Sequence, residues 1–145
     1  MHLDQRAWLG VIQLGKFDFK PGPDFVMTFD MTNTGKTPAL HVKTKTSLKS
    51  LEKDQSFNAT YLGPEPYKGS TGVMQPQMHL QLSSLPKDVS QKQYDDVQNG
   101  PGILYGYGDI TYDDIYGKPH ETTFCFRYYA GQSGPSPCDV YNEAN

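Results

Sequence analysis

His120 and Cys125 are the pair best suited by type to covalent chemistry, a thiol made nucleophilic by a neighbouring imidazole. They stand five residues apart. On a strand that spacing sends the two side chains to opposite faces, and no third group stands ready to orient the ring, so catalysis by this pair is not expected. Asn33-Thr34-Gly35-Lys36-Thr37 ends in the Gly-Lys-Thr of a phosphate-binding loop. That loop needs a glycine five residues before Gly35, where Asp30 stands, and a helix that starts at the lysine. Pro38 and an alternating run follow instead, and a hairpin turn is the better reading.

Metal chemistry fares no better. Asp109, Asp113 and Asp114 cluster in sequence, with Asp95 and Asp96 elsewhere, but calcium wants oxygen ligands at alternate positions around a tight loop. Adjacent Asp113 and Asp114 project differently, which favours a solvated turn. His2, His41, His79 and His120 are scattered, without the spacing of a zinc site. No catalytic residue, metal or cofactor is expected.

Tyr105, Tyr107, Tyr112, Tyr116, Tyr128 and Tyr129 make one region unusually rich in tyrosine. Lining the space between two sheets is the favoured reading of the row. An outward row would instead be a stacking platform for sugars, peptides or bases, and its candidate surface is Tyr105, Tyr107, Tyr116 and His120. Lys36, Lys43 and Lys45 read as the wet side of a sheet. Cys125 and Cys138 flank a loop rich in Gly, Ser and Pro. A disulfide between them would close about 14 residues and contribute roughly 3 kcal/mol in the loop-entropy view. Two unpaired thiols are the alternative, with Cys125 a small buried hydrophobe.

The elements that would position these residues are mostly strands. Trp8–Leu14 reads as a first strand with Trp8 as a core anchor. Phe25, Met27, Phe29 and Met31 alternate with Val26, Thr28, Asp30 and Thr32, the clearest period of two in the chain. Leu40, Val42, Thr44, Thr46 and Leu48 make a half-buried strand with a basic outer face. Residues 50–72 are polar and broken by Gly and Pro, with short strands expected near Phe57–Leu62. Gln77–Leu82 alternates again. One helix is signalled: Ser90 with Gln93 forms a capping box, Val89 and Tyr94 a hydrophobic staple, and Gly100-Pro101 a stop. It should plug one end of a sheet pair. A final hairpin runs from Ile103 to Tyr129, in which Gly106 and Gly108 leave room for bulky neighbours. The expectation is an all-β fold with one short helix, an immunoglobulin-like antiparallel β-sandwich of six to eight strands, in a single domain over residues 1–145.

Composition bounds the setting. At 145 residues the chain can bury roughly 70% of its unfolded surface. A net charge of -3 makes it no counter-ion for nucleic acid or anionic lipid. Residues 1–60 hold 8 Lys and Arg against 6 Asp and Glu, and 61–145 hold 5 against 10, an asymmetry that solubility explains. No apolar run approaches the ~18 residues of a membrane span, and Met1–Arg6 does not read as a signal peptide.

Arg6-Ala7-Trp8, the Asn33–Ala39 turn, the Tyr105–Asp114 run with Gly117, His120, Thr122, Phe124 and Cys125, then Cys138 and Tyr141–Ala144, resemble a group of uncharacterised bacterial proteins. In that group a β-sandwich follows a membrane helix or coiled segment. The resemblance spans nearly the whole chain and rests on structural motifs, so it implies no active site. It implies that residues 1–7 are the remnant of an upstream linker or anchor, and that the protein sits on the extracytoplasmic face of the cell envelope. The expected function is a non-enzymatic binding or accessory domain, its partner another protein or an envelope component. The membrane would be reached only through a segment absent from this chain. The alternative is a soluble cytoplasmic or phage-derived interaction or assembly module with reduced cysteines. A small hydrolase or glycan-active enzyme, the third possibility, requires a concave pocket with convergent ionisable groups.

Overall fold

The computed structural model describes residues 5–14, 17–51, 68–84, 86–139 and 141–145. The strands expected near Phe57–Leu62 lie outside the described residues. Among the described residues the fold is all-β with one short helix, and its strands pair antiparallel. One sheet has the order β1-β3-β6, from Leu9–Leu14, Thr28–Asn33 and His79–Ser83. The larger sheet has the order β10-β9-β8-β4-β5, from Ser136–Pro137, Pro119–Tyr128, Ile103–Asp113, Ala39–Leu51 and Lys68–Met74. Gly22–Phe25 (β2) and Lys87–Val89 (β7) pair beside them.

The alternating pattern does what a period of two should: it sends one row inward from each sheet. Phe25, Met27, Phe29 and Met31 are buried together with Leu104, Ile110, Phe124 and Phe126. The Phe29 ring meets Phe124 edge to face at 4.9 Å and Phe126 at 6.1 Å, so the two sheets are packed through aromatic rings. A β-carbon on Gly106 would lie 2.4 Å from Met27 Sδ, so the absent side chain is the space these residues fill. The chain does not run as one strand through this row. It leaves β2, passes Val26 and Met27, and joins the other sheet at Thr28, with Met27 and Ser84 exchanging two hydrogen bonds of 2.9 Å at the step.

Helix α1, Gln91–Asn99, starts at the expected capping box: the Gln93 amide donates to Ser90 Oγ, and the Ser90 amide to Gln93 Oε1. Its Val97 is buried, and Tyr94 packs on Phe19 at 5.3 Å. Phe17, Phe19, Phe25 and Tyr128 complete an aromatic plug, with the Tyr128 hydroxyl donating to Gln98 Oε1 at 2.9 Å. The helix therefore closes one end of the sheet pair.

Three expectations need correction. Asn33–Pro38 does not turn a hairpin, because β3 and β4 belong to different sheets and the segment arches between them. Trp8 is no core anchor: it is 36% exposed, because Ala7 and Leu9 on either side take the inward positions. Asp114 is buried and holds the β8–β9 turn, where a solvated acidic turn was expected.

Candidate functional site

The polar end of the sandwich, opposite the aromatic plug, gathers the most unusual chemistry in the chain. His120 opens β9 on its inward face, the same face as Thr122, Phe124 and Phe126. Asp114 ends the run that follows β8. Its Oδ1 accepts from the Tyr116 and Lys118 amides at 2.9 and 3.0 Å, the local device by which aspartate organises a turn. Its Oδ2 is 2.7 Å from His120 Nε2. The other ring nitrogen, Nδ1, lies 2.8 Å from Arg6 Nη1. Nδ1 is also 3.2 Å from the Asn145 main-chain oxygen, and because a carboxylate only accepts, Nε2 carries the hydrogen that Asp114 receives. The Arg6 guanidinium forks to the main-chain oxygen of Asn145, and its central carbon lies over the Trp8 ring, 3.4 Å from the ring centre.

Burial opposes charge on Asp114, but the hydrogen bond from His120, the two turn amides and the attraction of the imidazole outweigh it. Together they hold the carboxyl below its ordinary value of 3.8. The network is thus an ionised carboxylate, an imidazole oriented by it, and a guanidinium that closes the line. An Asp-oriented imidazole is the form a general base takes. Here both ring nitrogens are engaged and the His120 side chain is 3% exposed, so neither is free to take a proton from a substrate.

The network clamps the leading segment of the domain. Asn33, fully buried, accepts from the Trp8 and Gly35 amides through Oδ1 and donates to the Thr37 and Met74 carbonyls through Nδ2. One amide thereby joins the segment before β1, the inter-sheet arch and the end of β5. Gly35 lies against Arg6 and Ala7 so closely that a β-carbon would be 2.3 Å from the Arg6 carbonyl oxygen. On the far side the Leu9 amide donates to the Tyr112 hydroxyl and the Leu9 carbonyl accepts from Thr122 at 2.8 Å.

His120 also lines a shallow cleft of about 410 Å3, with His41, Lys43, Thr111, Asp113 and Glu121 among others. His41 sits in a β4 bulge with φ of 54°, an uncommon conformation for a non-glycine residue. Its Nδ1 is 2.9 Å from Asp113 Oδ2, in an exposed pair. The cleft is polar and ionisable, the feature an enzyme would need. Among the described residues, however, no hydroxyl or thiol is hydrogen-bonded to His41, and no three His, Cys, Asp or Glu side chains converge as a metal site.

The outer face of the large sheet holds the other sequence candidates. Cys125 and Cys138 form a disulfide, which removes Cys125 as a nucleophile. The tail from Ser136 runs antiparallel along the edge of β9: the Cys138 amide donates to Cys125, Thr123 pairs with Glu143, and Ala144 bridges to Thr122. The Asn142 side-chain amide pairs with the Cys125 main chain as a strand residue would. Tyr141 packs edge-on against Tyr107, 6.2 Å away at 78°.

That cover decides the proposed stacking surface. Tyr105 and Tyr107 are 9% and 4% exposed in a small apolar cluster with Leu51, Cys125 and Cys138. His120 is buried on the other face of the sheet, and Tyr116, 48% exposed, stands apart on the turn. The structure does not bring Tyr105, Tyr107, Tyr116 and His120 together: Tyr105 and Tyr107 are covered on the outer face, and His120 lines the polar cleft. Sequence reasoning missed Arg6, Asn33, Asp114 and Asn142 as polar ties. Their one sequence signal was Asx chemistry at turns, visible at Asp114-Ile115-Tyr116-Gly117 and Asn33-Thr34-Gly35.

No helix among the described residues is long and apolar enough to cross a membrane. Compared with known proteins, the chain matches no family model, no curated protein and no solved structure.

Proposed function

We propose that this chain is a non-enzymatic binding or accessory domain of immunoglobulin-like type, belonging to a bacterial envelope protein and displayed on the extracytoplasmic face of a membrane. Its tether would be a segment outside this chain. The observation that carries the reading is where the reactive groups have gone. Cys125 is locked to Cys138, and both nitrogens of His120 are bound to neighbours in a buried network that clamps the leading segment. Residues of catalytic type serve as fasteners, and a disulfide of this kind persists in oxidising compartments. A domain gripped hard at its leading end suits attachment to a tether.

Mass spectrometry of the protein taken from its native compartment, alkylated without reduction, tests this. The reading expects Cys125 and Cys138 to resist alkylation. A free thiol pair would favour the second reading, a soluble intracellular or phage-derived interaction module. One observation supports that alternative: the tail is held by main-chain pairing and by Asn142 independently of the disulfide, so the fold does not depend on oxidation alone.

A further inference from the structure

The four outer edges of the two main sheets are not alike. Exposed edges offer unpaired main-chain donors and acceptors to any other strand, and proteins blunt them with bulges, prolines, charges or brevity. β1 is interrupted by a register shift between Val11 and Gln13. β5 slips twice against β4. β10 is two residues long, and one of them is Pro137. β6 has none of these. It pairs with β3 through five consecutive residues, Thr28↔Ser83 to Thr32↔His79, without a shift. The strand His79-Leu80-Gln81-Leu82-Ser83 contains no Pro, Gly, Lys, Arg, Asp or Glu. Among the described residues no strand pairs with its other side.

The strand is also self-complementary. Leu80 and Leu82 stand opposite Met31 and Phe29 and so share the inward face, yet Leu80 is 40% exposed, with no strand among the described residues continuing the sheet beyond it. A two-fold axis demands that a surface match its own copy. Antiparallel pairing of β6 with a second β6 about Gln81 places Leu80 against Leu82 of the other copy, twice, and His79 against Ser83. The apolar face of one sheet then runs into the apolar face of the next.

We propose that β6 is a dimerisation edge: two copies of this chain pair their His79–Ser83 strands antiparallel about Gln81 and merge their three-stranded sheets into one of six. The inference is independent of the envelope reading, which says nothing of oligomeric state. A five-residue ladder is a small interface, so the dimer forms as concentration rises.

Sedimentation equilibrium on the whole chain tests it. The apparent mass should climb from 16.3 kDa toward twice that value with concentration, and Leu80→Lys should hold it at 16.3 kDa. Leu80 is an exposed edge residue, and an unchanged melting midpoint with the Cys125–Cys138 bridge intact shows that the variant is folded. Register is read separately: mild oxidation should cross-link Gln81→Cys, which faces its own copy, and not Leu80→Cys, which faces position 82. A mass of 16.3 kDa at every concentration up to the solubility limit, or a Leu80→Lys chain that still dimerises, overturns the proposal. Equal cross-linking at positions 80 and 81 overturns its register.

Discussion

Removing the Asn33 side chain should damage this domain more than any other single change at a polar residue. Asn33→Ala leaves four main-chain groups without their partner: the amides of Trp8 and Gly35 and the carbonyls of Thr37 and Met74. Each buried polar group left unpaired costs about 1–3 kcal/mol, and relaxation of the arch will recover part of the sum. The expected loss is roughly 3–5 kcal/mol, a large share of the ~5–15 kcal/mol that holds a domain together. Asn33→Asp separates hydrogen bonding from volume. It keeps an acceptor for Trp8 and Gly35 but turns a carboxylate oxygen toward the two carbonyls, 2.9 and 3.0 Å away, so it should be at least as harmful as alanine. Urea unfolding under non-reducing conditions measures both, with equal slopes required for the comparison. A loss below about 1 kcal/mol for Asn33→Ala, against the 1–3 kcal/mol expected per orphaned group, would refute the claim that this amide joins three segments.

Other perturbations address the remaining ties. Reduction, or replacement of both Cys125 and Cys138 by alanine, should lower stability by roughly 3 kcal/mol without unfolding the tail, and heteronuclear spectra should keep the Tyr107 and Tyr141 contacts. Gly35→Ala should cost more than Gly106→Ala in thermal melts, because the first β-carbon meets Arg6 and Ala7 backbone and the second meets the flexible end of Met27. Asp114 sets an acid dependence. Its folded pKa is depressed below 3.8, so the stability it contributes is present above that value and drains away as pH falls through it toward the folded value. Urea midpoints of wild type should therefore fall in that acid window more steeply than those of Asp114→Asn; parallel curves would contradict the assignment.

The fold was legible where periodicity is strong. Phe25, Met27, Phe29 and Met31 announced a buried row, the Ser90–Gln93 box announced its helix, and the pattern of Leu104–Tyr112 against Phe124–Tyr128 announced the hairpin, all of which depend on local rules. The inter-sheet arch was not legible, because an Asn-Thr-Gly turn looks the same whether the strands it joins are neighbours or face each other across a core. Tyr105 and Tyr107 alternate with Leu104 and Ile110 as the sequence suggests, but their cover includes Leu51, Cys138 and Tyr141, each more than thirty positions away. The disulfide was readable from the loop that it closes. The Arg6–His120–Asp114 line was not, since it joins three positions spread over more than a hundred residues and no local spacing records it.

The central claim is that Arg6, Asn33, Asp114 and His120 fasten the segment that leads into β1. Native-state hydrogen exchange of the Trp8 and Leu9 amides tests it most directly, for both donate to side chains, Asn33 Oδ1 and the Tyr112 hydroxyl. The account predicts that these amides open only with the whole domain, with the same free energy as the centres of β8 and β9, and that His120→Ala lowers their protection. Exchange at the rate of an open loop, or protection untouched by His120→Ala, would contradict it.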